Sequence, residues 1–463
     1  MRSHLSPLDA VLLELEQEDP AAQMHVGWVC VFDPLPNGEP PSPEELREQV
    51  RERIAENSML RRRLSIPAVG LLTLPVWLPD PDLDVGQMIR HATLPHPGSE
   101  EELTKWVGDY FSQRLDRSRP LWETTLLDGL EGGRWAYVTK LHHSLVDGIS
   151  GANLVAALLD TEPEPTPEET QKKLSALVNW FTEESTRGVL MRMRGVVGEA
   201  VSGGVDAAVH PPKVREILAR SRAMTETLLR DELTPAPPTS INEPIGSSRR
   251  LAGVDVPLAD VERVTEELGG TLNDVVLAAV AGGLRRLFEH RREAVDSVRI
   301  MAPVGLRQAS EALVCGSEVS SLFVSLPVSE PDPVARYRKI LARTEEVKAG
   351  ASAGGTDTAV LAGLEPSLVQ TVVARLTYTP RLFTATVTPL AVAPFTLYSF
   401  GAPLRRVIPL LPIFSAHALS VTVVNYDETL FFGLHADRDA IPDIEVMRAG
   451  IEAALHELAP VAA

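Results

Sequence analysis

The sequence predicts a two-domain α/β protein, and three observations carry that expectation. The chain is 463 residues long, about three times the usual length of a single domain. Strand-like and helix-like runs alternate up to residue 160 and again from Arg250. Between them, "DTEPEPTPEET" (Asp160 to Thr170) carries prolines and acids that can neither continue a helix nor fill a core. These breaks place an N-terminal domain at 1–165, a helical crossover at 166–245 and a C-terminal domain at 246–463.

In the first domain, "HVGWVCVFD" (His25 to Asp33) reads as a buried strand. "SPEELREQVRERIAENSML" (Ser42 to Leu60) reads as a helix, with Ser42 as N-cap and Glu45 closing a capping box. "RWAYVTKLHH" (Arg134 to His143) is a second strand, and "SGANLVAALLD" (Ser150 to Asp160) spaces its apolar residues at 154, 155, 158 and 159 as a helix does. The crossover holds the helical runs "TQKKLSALVNWFTEES" and "VREILARSRAMTETLLRDEL" and ends at "TPAPPTSINEP" (Thr234 to Pro244). Its cations Arg187, Arg192, Arg194, Lys213, Arg215, Arg220 and Arg222 suit a solvated helix face, or one that meets phosphates of a ligand or a membrane.

In the second domain, "RRLAGVDVPLADVERVTEELGG" gives a strand and then a helix, "TLNDVVLAAVAGGLRRLFEHR" a long helix capped near Asn273, and "SVRIMAPVGLR" a strand. From Leu382 to Tyr426 the only charges are Arg405 and Arg406, and prolines stand at 389, 394, 403, 409 and 412. A membrane-spanning helix of about 20 residues does not accommodate prolines at that density. Buried strands lining a tunnel are expected instead.

A composition of 44% hydrophobic and 23% charged residues is that of a folded globular protein. The net charge of -19 argues against non-specific binding to nucleic acid or to an anionic membrane surface, either of which needs a basic face to replace released counterions. The first twenty residues, "MRSHLSPLDAVLLELEQEDP", lack the uninterrupted apolar core of a signal peptide, so a cytoplasmic location is expected. Cys30 and Cys315 are too few and too distant for a disulfide framework or a thiolate metal site.

The stretch "KLHHSLVDGIS" (Lys140 to Ser150) concentrates the chemistry. An imidazole that takes a proton from an alcohol must be neutral near pH 7, held in one tautomer and reachable by substrate, and a strand-to-helix turn supplies those conditions. The strand ends at His142 or His143, Asp147 follows across the turn, and Gly148 lets the backbone reverse. Asp147 either orients the ring or pins the loop to a distant arginine. Adjacent residues of an extended segment face opposite ways, so only one histidine easily faces a given cavity. The same divergence, with no third ligand nearby, argues against a metal site.

"HHSLVDG" matches the HHxxxDG signature of CoA- and carrier-dependent acyltransferases. The chain further resembles the bacterial wax ester synthase/diacylglycerol acyltransferase family in "LSPLDAVLLELE" (Leu5 to Glu16), "MHVG" (Met24 to Gly27), "LDRSRPLWE" (Leu115 to Glu123), "NEPIGSSRR" (Asn242 to Arg250), "GGTLNDVVLAAVAGGLRR" (Gly269 to Arg286), "PVGLR" (Pro303 to Arg307) and "YDETLFFGLHADRDAIPD" (Tyr426 to Asp443). The resemblance implies two chloramphenicol-acetyltransferase-like domains, each a mixed sheet flanked by helices, with a substrate tunnel between them.

The resemblance also implies roles for single residues. His143 becomes the general base that deprotonates an acceptor hydroxyl as it attacks an acyl thioester, supported by His142, with Asp147 and Gly148 shaping the loop. Pro120, Leu121 and Trp122 match a second motif, read as a wall of the acyl channel or as a Pro-started strand with a core tryptophan. Asn273 and Asp274 match a third, where an amide near the thioester orients substrate or stabilises the oxyanion, although Asn273 also stands where a helix N-cap is expected.

The implied substrates are acyl-CoA and a diacylglycerol or fatty alcohol, with no cofactor or metal and with peripheral contact at a membrane or lipid inclusion. An acyltransferase for a specialised metabolite, using a CoA or carrier-protein donor, and a weakly catalytic acyl-lipid binding protein are the rival readings. After Cys315 the family commonly reads Gly-Asn, whereas this chain has Gly316 and Ser317. It also has "VTPLAVAPFT" (Val387 to Thr396) where the family carries Asn-Val-Pro-Gly-Pro, a departure that bears on channel shape near the domain interface.

Overall fold

The computed structural model describes residues 3–4, 13, 15–54, 60–65, 75–80, 83–145, 154, 158–164, 238–303, 321–354, 383–393, 395–413 and 416–459. In chain order the strands of the N-terminal half are β1 (Ser3–His4), β2 (His25–Phe32), β3 (Arg62–Ser65), β4 (Val76–Pro79), β5 (Ile89–Thr93), β6 (Trp122–Asp128) and β7 (Trp135–His142). Those that follow are β8 (Arg249–Pro257), β9 (Val298–Pro303), β10 (Ser321–Leu326), β11 (Ala385–Ala393), β12 (Tyr398–Ser399), β13 (Ala402–Leu410), β14 (Leu419–Tyr426) and β15 (Thr429–Asp437). The α-helices are α1 (Pro43–Ile54), α2 (Glu100–Phe111), α3 (Leu258–Leu268), α4 (Leu272–His290), α5 (Pro333–Gly354) and α6 (Ile444–Leu458).

Two six-stranded mixed sheets dominate, ordered β12-β13-β2-β7-β6-β5 and β10-β9-β11-β14-β15-β8, beside a small sheet β1-β4-β3. The architecture is α/β with helices flanking each sheet, as the alternating runs predict. The expected strands at His25 and Arg134 are β2 and β7. The helix expected after Ser42 is α1, and its capping box forms: Ser42 N donates to Glu45 Oε2 at 2.8 Å and Glu45 N to Ser42 Oγ at 3.2 Å.

The first sheet is not built from the first part of the chain alone. β13 pairs antiparallel with β2, from Leu404 opposite Phe32 to Leu410 opposite Gly27, so a segment more than 370 residues downstream completes it. β2 and β7 thereby become central strands, and every residue of β7 is buried. One face, with Val29, Val31, Ala136 and Val138, packs on α2, while the other sends Cys30, Phe32, Trp135 and Tyr137 into a second core. There the Phe32 and Trp135 rings stack with centroids 4.3 Å apart.

In the second sheet β11 runs parallel to β14, with Pro389 opposite Val423. Proline is expected only where one side of a strand is unpaired. Among the described residues β9 pairs with β11 at Ala385 and Thr386, ahead of this proline. The departing segment at 387–396 therefore begins as sheet. α4 packs on α6 through small residues: a Cβ on Gly283 would lie 2.6 Å from Ile451 Cγ1, and one on Gly282 2.4 Å from Ala454 Cβ.

The N-cap of α4 differs from expectation. The helix starts at Leu272, and its N-cap is Thr271 rather than Asn273. Asp274 Oδ2 accepts from Thr271 N at 2.8 Å and Thr271 Oγ1 at 2.7 Å, which closes the first turn. The physical reason is the double glycine ahead of it: Gly269 and Gly270 have positive φ and deliver the chain in an extended Thr271 that suits the cap.

Two arginines join the sheets. Arg406 on β13 donates to Glu100 of α2 at 2.6 Å and pairs with Asp255 of β8 at 2.7 Å. Buried Arg249 at the start of β8 donates to the carbonyls of Gly246 and Ala21, and its main-chain N–H to Ser112 Oγ. Among the described residues no helix is long and apolar enough to cross a membrane.

Candidate active site

β7 delivers the two histidines to the end of the first sheet. Its last residue, His142, lies opposite His25 of β2, and the chain then turns through a single 3-10 turn, His143–Leu145. Two main-chain bonds fix this corner: His142 N donates to Leu121 O at 2.9 Å, and His143 N to Met24 O at 2.7 Å. The acceptors stand in two other stretches the sequence marked, "PLW" and "MHVG", so the fold gathers three motifs at one corner.

The two rings differ in environment. His142 is buried, with Nδ1 2.7 Å from Ser144 Oγ and Nε2 2.8 Å from Glu16 Oε2. His143 is partly exposed, and its Nδ1 has no hydrogen-bond partner among the described residues. Burial, and then the neighbouring His142, push the His143 pKa down to about 4. A ring that stays unprotonated at neutral pH is what proton abstraction requires. Asp147 and Gly148 lie outside the described residues.

Glu16 is the residue that the motif reading missed. It belongs to the helical turn at 15–18, is buried, and pairs with Arg117 at 2.8 Å as well as with His142. Burial alone raises a carboxyl pKa, but the hydrogen bonds and charges of His142 and Arg117 outweigh it and bring Glu16 to about 2. Its signal in the sequence is an acid three residues after Leu13, which is fully buried, so that both share one face of a helical turn.

Pro120, Leu121 and Trp122 are all buried and lead into β6. Trp122 Nε1 donates to Leu60 O at 2.8 Å. Pro120 and Trp122 also line a cavity of about 220 Å³, together with Met88, Leu115, Arg90, Asp116, Arg119 and Glu123. Asn273 and Asp274 stand in the first turn of α4. The Asn273 Oδ1 atom is buried with no hydrogen-bond partner among the described residues. Asp274 has both oxygens engaged, Oδ2 at Thr271 and Oδ1 accepting from Thr344 Oγ1 at 2.7 Å. Among the described residues no cluster of His, Cys, Asp or Glu could hold a metal ion.

The chain matches two family models. Residues 5–276 match the wax ester synthase/diacylglycerol acyltransferase catalytic domain, and residues 315–459 match the C-terminal domain of the same family. A probable diacylglycerol O-acyltransferase of Mycobacterium tuberculosis is 30% identical over 99% of this chain and 96% of its own length. A second mycobacterial relative, a putative diacylglycerol O-acyltransferase, is 29% identical over 98% of each chain. The solved wax ester synthase/diacylglycerol acyltransferase of Marinobacter aquaeolei VT8 superposes with a TM-score of 0.71 at 25% identity, over 99% of this chain and 100% of that one. The first condensation domain of the calcium-dependent antibiotic synthetase shares the fold, with a TM-score of 0.57 at 18% identity over 100% of this chain and 96% of that one. With both family models matched across most of its length, the chain belongs to the wax ester synthase/diacylglycerol acyltransferase family.

Proposed function

We propose that this acyltransferase moves a long-chain acyl group from acyl-CoA to the hydroxyl of a diacylglycerol or fatty alcohol, with His143 as general base. The observation that carries the reading is the contrast between the histidines: His142 has both nitrogens engaged, whereas His143 heads the turn with a pKa near 4. His143 removes the acceptor proton as its oxygen attacks the thioester carbonyl, and the proton then passes to the departing CoA sulfur. No acyl-enzyme intermediate is required, because the acceptor itself is activated. Asn273 is assigned to the oxyanion or the thioester carbonyl, where its amide N–H donates as negative charge develops. Asp274 acts as the clamp of the α4 first turn that presents Asn273. Pro120 to Trp122 form a wall of the acyl channel, and Asp147 and Gly148 close the loop after His143.

Apolar acceptors imply work at a membrane or lipid-inclusion surface, reached by peripheral contact. A second reading, esterification of a specialised metabolite from a carrier-bound donor, is favoured by the departure at Val387 to Thr396. Purified protein incubated with palmitoyl-CoA should release CoA only when hexadecanol or a diacylglycerol is added. Turnover with an acyl carrier protein and none with acyl-CoA would select the second reading.

A further inference from the structure

The protonation of His142 can be read from its neighbours. Its Nδ1 lies 3.1 Å from the main-chain nitrogen of Ser144, in hydrogen-bond geometry. A main-chain N–H only donates, so Nδ1 carries the lone pair and the ring proton sits on Nε2, where it is donated to Glu16 Oε2 at 2.8 Å. The Ser144 hydroxyl, 2.7 Å from the same Nδ1, then donates as well. Moving the proton to Nδ1 would set it against the Ser144 N–H and leave Glu16 without a donor from this ring.

Glu16 is itself fixed. It is buried, pairs with Arg117 Nη2 at 2.8 Å and has Arg114 Nε at 4.0 Å. Arg114 also donates to the Glu16 main-chain carbonyl at 3.1 Å. A continuous chain of contacts therefore runs from Arg117 through Glu16 and His142 to Ser144, the residue after His143.

We infer that Glu16 is a positioning residue for acyl transfer: it holds His142 as the Nε2–H tautomer, whose lone pair ties down the Ser144 N–H and so sets the turn that presents His143. The inference rests on the reading of His143 as the base. The other titratable or charged groups around His142 are His143 next to it and His25 opposite on β2, both of which feel its charge, with Arg114 and Arg117 beyond Glu16.

Two measurements on the full-length protein test it. Nitrogen-15 histidine NMR at pH 7 should show His142, identified by its absence in His142→Asn, as a neutral Nε2–H ring in the wild type, and that signature should be lost in Glu16→Leu, which offers Nε2 no acceptor. This readout is independent of turnover, so it separates the present inference from a failure of the base assignment, which His143→Ala tests. In kinetics, Glu16→Gln should lower kcat by about ten- to a hundredfold, as a small misplacement of a reacting group does, with KM for acyl-CoA changed less than about threefold. If Glu16→Gln does not fold by circular dichroism, Glu16→Asp, one methylene shorter, takes its place with the same expectations. A wild-type His142 found as the Nδ1–H tautomer, or a folded Glu16 variant with unchanged kcat, would overturn the inference.

Discussion

At the scale of single residues, acyl transfer turns on which imidazole is free to accept a proton. His143→Ala should lower kcat by about two to four powers of ten, the usual worth of a general base. The pKa of His143, about 4 against an ordinary value of 6.5, sets the acid limb. Activity should hold from neutrality down to about pH 5 and fall near pH 4 as the base becomes protonated. Stability follows with a definite sign. Between pH 6.5 and about 4 the unfolded chain binds a proton at this ring that the folded chain does not, so stability falls as pH drops through that window. His435, brought to about 3 by burial and then by Arg249, acts in the same direction. Glu16 acts lower: its contribution is complete above its ordinary value of 4.5 and is lost as pH falls toward 2. Denaturant unfolding across pH 7 to 4 checks the sign. His142 and His143 were legible in the sequence because two imidazoles, an acid and a glycine fall in one short stretch. Glu16 was not, because an acid in a leucine-rich helical turn looks solvated until its partners, 101 and 126 residues away, close over it.

Among the elements, α1, α3 and α4 and strands β2, β7, β8 and β9 followed from periodicity and caps, but the strands' neighbours did not, and α2, α5 and α6 were not read from the sequence. Nothing local in "APLRRVIPL" says that β13 joins the sheet of β2, since strand pairing is decided by which apolar faces remain to be covered. The α4 cap was misplaced by two residues because Asn, Thr and Asp are all good N-terminal formers, and the double glycine decides among them. Thr271→Ala should cost about 1 kcal/mol, the typical worth of an N-cap, read from the denaturation midpoint.

A larger effect belongs to Lys140, the buried cation of β7. Its ammonium donates to the carbonyls of Tyr110 at 3.0 Å and Gln113 at 2.9 Å, beyond the end of α2, and pairs with Glu123 at 3.1 Å. Lys140→Met leaves the buried Glu123 charge without its ammonium partner, Arg90 remaining at 2.8 Å, and should cost about 3 to 5 kcal/mol, as loss of one partner of a buried pair does. Restoring neutrality with Glu123→Gln in the same chain should recover part of it. Equal loss in the single and double variants would show that the helix-end carbonyls, not the ion pair, set the role of Lys140.

For the whole molecule, the two-sheet α/β architecture was legible because two long stretches of alternating elements flank a breaker. The division at 1–165 and 246–463 is the expectation from the sequence, whereas the sheets interleave through β12 and β13. A strand of the far half, β13, therefore braces β2, which in turn pairs with the strand that carries His142. Arg406, shared between Glu100 and Asp255, is the visible link. Its replacement by alanine should lower kcat and stability together. The central claim, acyl transfer with His143 as base, is tested most directly by release of free CoA from palmitoyl-CoA in wild type and His143→Ala, with and without hexadecanol or a diacylglycerol. Acceptor-dependent release in the wild type, with ester product formed and both lost in the variant, is the predicted result; equal rates in wild type and variant would contradict it.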